Sequence, residues 1–246
     1  MQYNWDWLFF LKEGYDGHIY GNLILVGLGY TIAVATSSFA LAFVLGTAVG
    51  VMATIRNKFV SLIAIFYINI FRNIPLLVQL FLWFFVVPEF LSPDTGDWLK
   101  QNVSPIFFGI IGLSFFTSSR LAVQIKAGID SLPEGMRNAG RALGMKRFQI
   151  YKYILLPAAL RMIIPSITSE AMNNIKNSSV TYAIGVTEIY FQYKQLIEKT
   201  SQIVEITCIV TGLYFLLNFV TFLVLQSIEK KLTIPGLISH SNEDQL

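Results

Sequence analysis

Charged side chains are scarce in this sequence. Asp, Glu, Lys and Arg together make up 13% of its 246 residues, against 54% apolar residues. With a mean hydropathy of +0.58, the chain is too apolar to solvate the surface of a soluble globule, and a membrane class follows before any motif is read. The net charge of +3 is small and the basic residues gather in loops, so no nucleic-acid partner is expected. A single cysteine, Cys208, excludes an intrachain disulfide and any zinc spacing; within an apolar run it is expected to be a small buried hydrophobe. The two histidines, His18 and His240, have no Cys or His neighbour and read as solvated terminal residues, which leaves no metal site. No phosphate loop of the form G-x-x-x-x-G-K-[ST] occurs, and Gly27-Leu28-Gly29 lacks the rest of a dinucleotide motif. The chain is therefore expected to bind no cofactor and to hydrolyse no ATP. No Ser-His-Asp set falls on one side of a membrane, so an enzyme is not expected either.

Long apolar runs are what the sequence does have. A hydrocarbon core of about 30 Å needs about 20 mostly apolar residues per helix, and five stretches meet that length: 23–55, 62–87 with a kink at Pro75, 105–128, 162–185 and 206–228. The fold class that follows is an all-α integral membrane protein of five transmembrane helices. Residues 1–22 form an extracytoplasmic segment. Its apolar run, 7–11, is shorter than a signal-peptide core, and no cleavage is expected. Trp5, Trp7, Phe9, Phe10 and Tyr15 suit the membrane interface.

Basic residues orient the bundle. Arg56 and Lys58 follow the first span, Arg137, Arg141, Lys146, Arg147, Lys152 and Arg161 lie between the third and fourth, and Lys230 and Lys231 follow the fifth. The intervening segments carry Glu89, Asp94, Asp97 and Glu188 with scattered lysines. The amino terminus is thus expected outside, with the 229–246 tail cytoplasmic. Ala42, Gly46 and Gly50 form a small-residue stripe at four-residue spacing, which is either a helix–helix contact or ordinary membrane glycine usage.

The 129–161 loop is mixed in charge and patterned for helix. Ser131 with Pro133-Glu134 gives a capped helix start, and Met136, Ala139, Ala142 and Leu143 recur at helical spacing up to Gly144. A second helical piece, 147–156, ends at Pro157. One apolar knuckle is left for a partner.

These residues carry a resemblance. Asn138-Ala139-Gly140, then Gly144, then Ile154-Leu155-Leu156-Pro157 is similar to the loop signature of ATP-binding-cassette importer permeases: Glu-Ala-Ala, three residues, Gly, nine residues, Ile-x-Leu-Pro. Two of the seven positions depart, Asn138 for the glutamate and Gly140 for the second alanine. Arg72-Asn73-Ile74-Pro75-Leu76-Leu77-Val78-Gln79 resembles the Arg-Gly-Thr-Pro-Leu-Leu-Val-Gln stretch of the polar amino acid subfamily. Lys126-Ala127-Gly128-Ile129, Ser131-Leu132-Pro133-Glu134-Gly135 and Lys176-Asn177-Ser178-Ser179 with Ile184-Gly185 follow in register. The segments 74–85 and 120–123 look most like glutamate/aspartate permeases. The resemblance implies a second membrane subunit, a related chain or a copy of this one. It also implies a separate cytoplasmic ATPase pair seated on the loop at Asn138, Ala139, Gly140, Arg141, Leu143 and Gly144, and an extracytoplasmic solute-binding protein.

Within the spans lie Arg72, Arg120, Lys176 and Glu170, each costing roughly 2.5–3.5 kcal/mol if left facing lipid at a helix centre. Arg72, Arg120 and Lys176 fall near the middles of three crossings, a placement that can bring positive charge to one cavity for a dicarboxylic amino acid. Related permeases for other polar amino acids often have Tyr and Glu where this chain has Arg120 and Val123, which points the same way. The other open use of Arg120 or Arg72 is a buried ion pair with Glu170. Asn173, Asn174 and Asn177 can line the same path or bond helices together. The competing classes are a permease for another polar amino acid, such as glutamine, and a transporter or channel independent of ATP. The latter class often has internal repeats and more spans, and neither occurs here.

Overall fold

The computed structural model describes residues 5–14, 17 and 19–232. Tyr15, both histidines and the tail beyond residue 232 lie outside them. Three helices are long and apolar enough to cross a bilayer unaided: α1 (Tyr20–Thr54), α5 (Pro105–Asp130) and α11 (Ile203–Leu232). Two bent pairs bring the total to five if each pair is one span.

α5 is the centre of the bundle. Of its apolar window 56% is buried inside the chain, against 6% for α11. α1 lies along α5, and the small-residue stripe is the seam between them. A Cβ on Gly46 would stand 2.8 Å from the Leu121 side chain and the Ser118 carbonyl, and one on Gly50 would stand 2.9 Å from the Ala122 carbonyl. Small residues here let two backbones meet, which is how helices associate where apolar burial gives no advantage over lipid.

The second span is broken. α2 (Lys58–Asn73), capped by the Asn57 side chain on the Phe59 and Val60 amides, turns through 106° at Ile74-Pro75 into α3 (Leu76–Phe81) and its continuation to Phe90. The kink expected at Pro75 is therefore a sharp corner, beyond what a proline in a continuous helix produces. Proline removes one amide donor, and the turn frees carbonyls as well. Gln79, almost fully buried, donates from Nε2 to the Phe71 carbonyl (2.7 Å) and the Ile74 carbonyl (2.9 Å), satisfying groups that lipid could not. The Tyr67 and Ser118 hydroxyls, 2.7 Å apart, tie α2 to α5.

A short helix, α4 (Pro93–Asn102), follows, where Lys100 pairs with Glu89. Beyond α5 come α6 (Glu134–Ala142), α7 (Arg147–Ile150) and α8 (Leu156–Met162). Two local expectations are corrected here. Ser131 does not cap α6: its Oγ donates to the Gly128 carbonyl at 2.9 Å and closes α5, and α6 starts on Pro133 without a side-chain cap. Nor does the second loop helix end at Pro157. A π-helical turn over Tyr151–Leu155, with the Leu156 amide bonded to the Tyr151 carbonyl, absorbs the proline, and the helix runs on to Met162. It then bends by 66° into α9 (Ile164–Ser178), which ends in a tight turn to Ile184.

α10 (Ile189–Thr200) lies against the first third of α1. Cys208 is exposed, because it sits on the bare side of α11 and not in the core. Glu188, placed by sequence in an outer segment with Glu89, Asp94 and Asp97, is fully buried and caps α10.

Candidate functional site

A cavity of about 650 Å³ lies between α9, α10 and α11. Among the described residues, Lys176 on α9 is the one charged side chain lining it. Tyr190 and Tyr193 come from α10, and Thr207, Thr211, Tyr214 and Asn218 from α11. Those four α11 positions recur at helical spacing, so the span that carries no charge presents a polar stripe. The stripe is legible in the sequence as Thr207, Thr211, Tyr214 and Asn218 at helical spacing, though it carries no charge to single it out. Tyr190 stacks on Tyr193, with ring centres 5.4 Å apart. The walls thus offer one cation, several hydroxyls, an amide and aromatic faces. That set suits a small zwitterion with an extra carboxylate.

Glu188 organises the far wall. Its carboxylate accepts from the Tyr190 and Phe191 amides, both at 2.8 Å, and from the Tyr214 hydroxyl at 2.8 Å. The Thr31 hydroxyl of α1 accepts from the Ile189 amide at 3.1 Å. Burial pushes the Glu188 carboxyl up to about 7, with the amide and phenol hydrogen bonds pulling the other way. Sequence reading missed this residue; an acid immediately before the helical run 189–200 was the available signal.

The remaining cations do not reach this cavity, which corrects the expected convergence. Arg120 donates from Nε to Glu170 Oε2 (2.9 Å) and from Nη2 to Glu170 Oε1 (3.1 Å), and Gln124 adds a third donor at 3.2 Å. Of the two uses open to Arg120, the ion pair is the one formed. Arg72 stands exposed in the last turn of α2, beside the 106° corner, with no ion pair among the described residues. The reason lies in the angular positions on α9. At about 100° per residue, Met172, Lys176 and Ser179 share one side of the helix, and Glu170, Asn174 and Asn177 share roughly the opposite one. Asn174 is buried structural glue: its amide donates to the Ala35 carbonyl and the Ser38 hydroxyl, both at 2.9 Å, and it accepts from Thr117 at 2.7 Å. Asn173 and Asn177 are half-buried and do not line the cavity.

The loop site has its own geometry. Gly144, at φ +72°, ends α6 in a paired turn: its amide bonds the Arg141 carbonyl (2.9 Å) and the Met145 amide bonds the Gly140 carbonyl (3.0 Å). Gly140 is buried, since a Cβ there would meet Ile150 and Ile154 at 3.0 Å. Met136 points partly inward, while Asn138, Ala139, Arg141 and Leu143 are exposed, Leu143 at 78%.

A multi-span helical subunit with a docking loop on one side and a polar cleft within its spans has the anatomy of a transport permease. The profile described as "Binding-protein-dependent transport system inner membrane component" matches residues 42–234. The glutamate/aspartate import permease protein GltJ of Escherichia coli O6:H1 is 36% identical over 241 residues, 96% of this chain and 98% of that one. The glutamate/aspartate import permease protein GltK of the same strain is 27% identical over 209 residues, 85% and 92% of the two chains. A chain from the crystal structure of an amino acid ABC transporter with histidines superposes with a TM-score of 0.73 at 25% identity, covering 86% of this chain and 95% of that one. The chain belongs to the family of binding-protein-dependent transport system inner membrane components. It is the multi-pass, non-catalytic permease of an ATP-binding-cassette importer, and ATP hydrolysis belongs to a separate subunit.

Proposed function

We propose that this permease carries acidic amino acids, glutamate and aspartate, inward across the membrane, and that the α9–α10–α11 cavity receives them with Lys176 against a carboxylate. Polar amino acids are the cargo class of the importer type to which the chain belongs. The observation that carries the finer reading is the lone cation in a cavity otherwise lined by hydroxyl, amide and aromatic groups. Its 36% identity to a permease named for glutamate and aspartate supports the same cargo. Arg120, clamped by Glu170, shapes the third and fourth spans behind that wall, and Arg72 marks the corner of the second.

In this reading the amino terminus is outside, a solute-binding protein delivers cargo there, and the ATPase pair grips the exposed side of α6 at Asn138, Ala139, Arg141 and Leu143. The second membrane subunit is a related chain and not a copy, because one strain holds two distinct glutamate/aspartate permeases similar to this sequence. The test is uptake of radiolabelled glutamate, aspartate, glutamine and arginine by cells carrying the whole transporter, wild type against Lys176→Gln at matched expression. Acidic uptake should fall at least tenfold while the ATPase stays bound. Unchanged acidic uptake, or a wild type that prefers glutamine, refutes the assignment.

A further inference from the structure

A second, smaller pocket, of about 240 Å³, sits where the end of α1 meets the loop helices. Four arginines line it: Arg56 just past α1, Arg137 and Arg141 one turn apart on α6, and Arg147 at the start of α7. Among the described residues none of the four has a carboxylate partner; Arg141 reaches only the Asn138 side chain, at 3.4 Å. Four guanidinium groups lining one pocket, with no carboxylate among its lining residues, favour an anion there.

The rest of the pocket is apolar. Val51 and Ile55 come from the last turns of α1, and Ile150 and Leu155 from the helix opposite, while Phe148 stands exposed at the rim. The Tyr151 hydroxyl, bonded to the Thr54 carbonyl at 3.0 Å, pins the loop helix to the end of α1 beside the pocket. α2, which packs on α1, carries the exposed apolar side chains Phe59, Leu62 and Phe66, a surface that acyl chains can cover. A soluble anion has no use for the apolar floor of the pocket. Arg141, assigned above to the ATPase contact, borders the pocket from the exposed side of α6 with Ala139 and Leu143, which leaves Arg56, Arg137 and Arg147 for an anion in the pocket.

We infer that this pocket seats the phosphodiester head of an anionic phospholipid, with its glycerol and upper acyl region against Val51, Ile55 and Phe148. Arginine forks match phosphate oxygens two at a time, and basic pockets between helices on the cytoplasmic side are where such heads collect. The lipid then acts as a clasp between α1 and the loop on which the ATPase sits. The inference rests on the membrane placement of the chain and not on its cargo, so a failed uptake test leaves it standing.

The test uses the assembled transporter with its ATPase, equilibrated with equal phosphatidylglycerol and phosphatidylcholine and weighed by native mass spectrometry. The wild type should retain phosphatidylglycerol selectively. Arg56→Gln with Arg147→Gln should lower that selectivity about thirtyfold, or about 2 kcal/mol at about 1.4 kcal/mol per tenfold, and the double lysine variant should keep part of it. Equal retention of both lipids by the wild type overturns the proposal. Displacement of the lipid by millimolar inorganic phosphate overturns it in favour of a soluble anion, and loss of the ATPase from the glutamine variant with phosphatidylglycerol selectivity retained overturns it in favour of a subunit contact.

Discussion

Removing either half of the Arg120–Glu170 pair should cost unequal amounts, and the inequality tests whether the arginine is structural. The Glu170 side chain is 7% exposed and the Arg120 side chain 40% exposed. Arg120→Ala strands a buried carboxylate with a single donor, Gln124, to hold it. That places the loss near the lower end of a broken buried pair, about 3 kcal/mol. Glu170→Gln leaves the guanidinium partly in contact with water and 5.8 Å from the centre of the Phe116 ring, so about 1 kcal/mol is lost. For a chain of this size those figures lower the melting temperature by roughly 6–12 °C and 2–4 °C. The assay is thermal unfolding of the assembled transporter by tryptophan fluorescence, in parallel with uptake. A double variant, Arg120→Met with Glu170→Met, should recover much of the loss, because the pair is replaced by apolar volume. If Glu170→Gln costs as much as Arg120→Ala, or if Arg120→Ala leaves the melting temperature unchanged yet abolishes acidic uptake, the structural reading of Arg120 is refuted.

Three further outcomes are expected. Gly46→Leu should prevent a folded, monodisperse complex in fluorescence-detected size-exclusion chromatography, whereas Gly29→Leu should be tolerated, since a Cβ at Gly46 strikes backbone and one at Gly29 meets nothing within 4 Å. Gln79→Leu strands two carbonyls at the corner of the second span, each worth about 1–3 kcal/mol; a variant melting within 2 °C of wild type would mean that the carbonyls find other donors. The Glu188 carboxyl titrates higher in the fold, about 7, than its ordinary 4.5, so the native state holds the proton longer and its stability falls as pH rises from about 4.5 to about 7. Melting curves at pH 5 and pH 7.5 should show that decline, and Glu188→Gln should remove it; an unaltered slope in the variant assigns the pH dependence to another group.

The crossings and the loop were legible because hydrocarbon imposes a length and a near absence of charge, and α1, α5 and α11 end within a few residues of where composition ends them. What composition leaves open is direction. A run with one proline reads alike whether the helix kinks gently or turns through 106°; at the corner Gln79, eight residues on, reaches back to the Phe71 carbonyl, a contact that composition does not show. The charges were visible and their grouping was not. Lys176 and Glu170 share a span, yet their six-residue separation puts them on different sides of α9, one towards the cavity and the other towards Arg120. Ser131 could equally have closed one helix or opened the next, and only the Gly128 carbonyl within its reach decides between them.

Phe215 belongs at once to the wall of the large cavity and, at 70% exposed, to the bare side of α11. The vessel built by this chain is therefore unfinished along one edge. Any subunit packed on that side supplies the missing wall and fixes the volume within. If this cavity receives the cargo as proposed above, cargo choice is a joint property of two sequences, and exchanging the neighbour retunes the transporter with no residue of this chain changed.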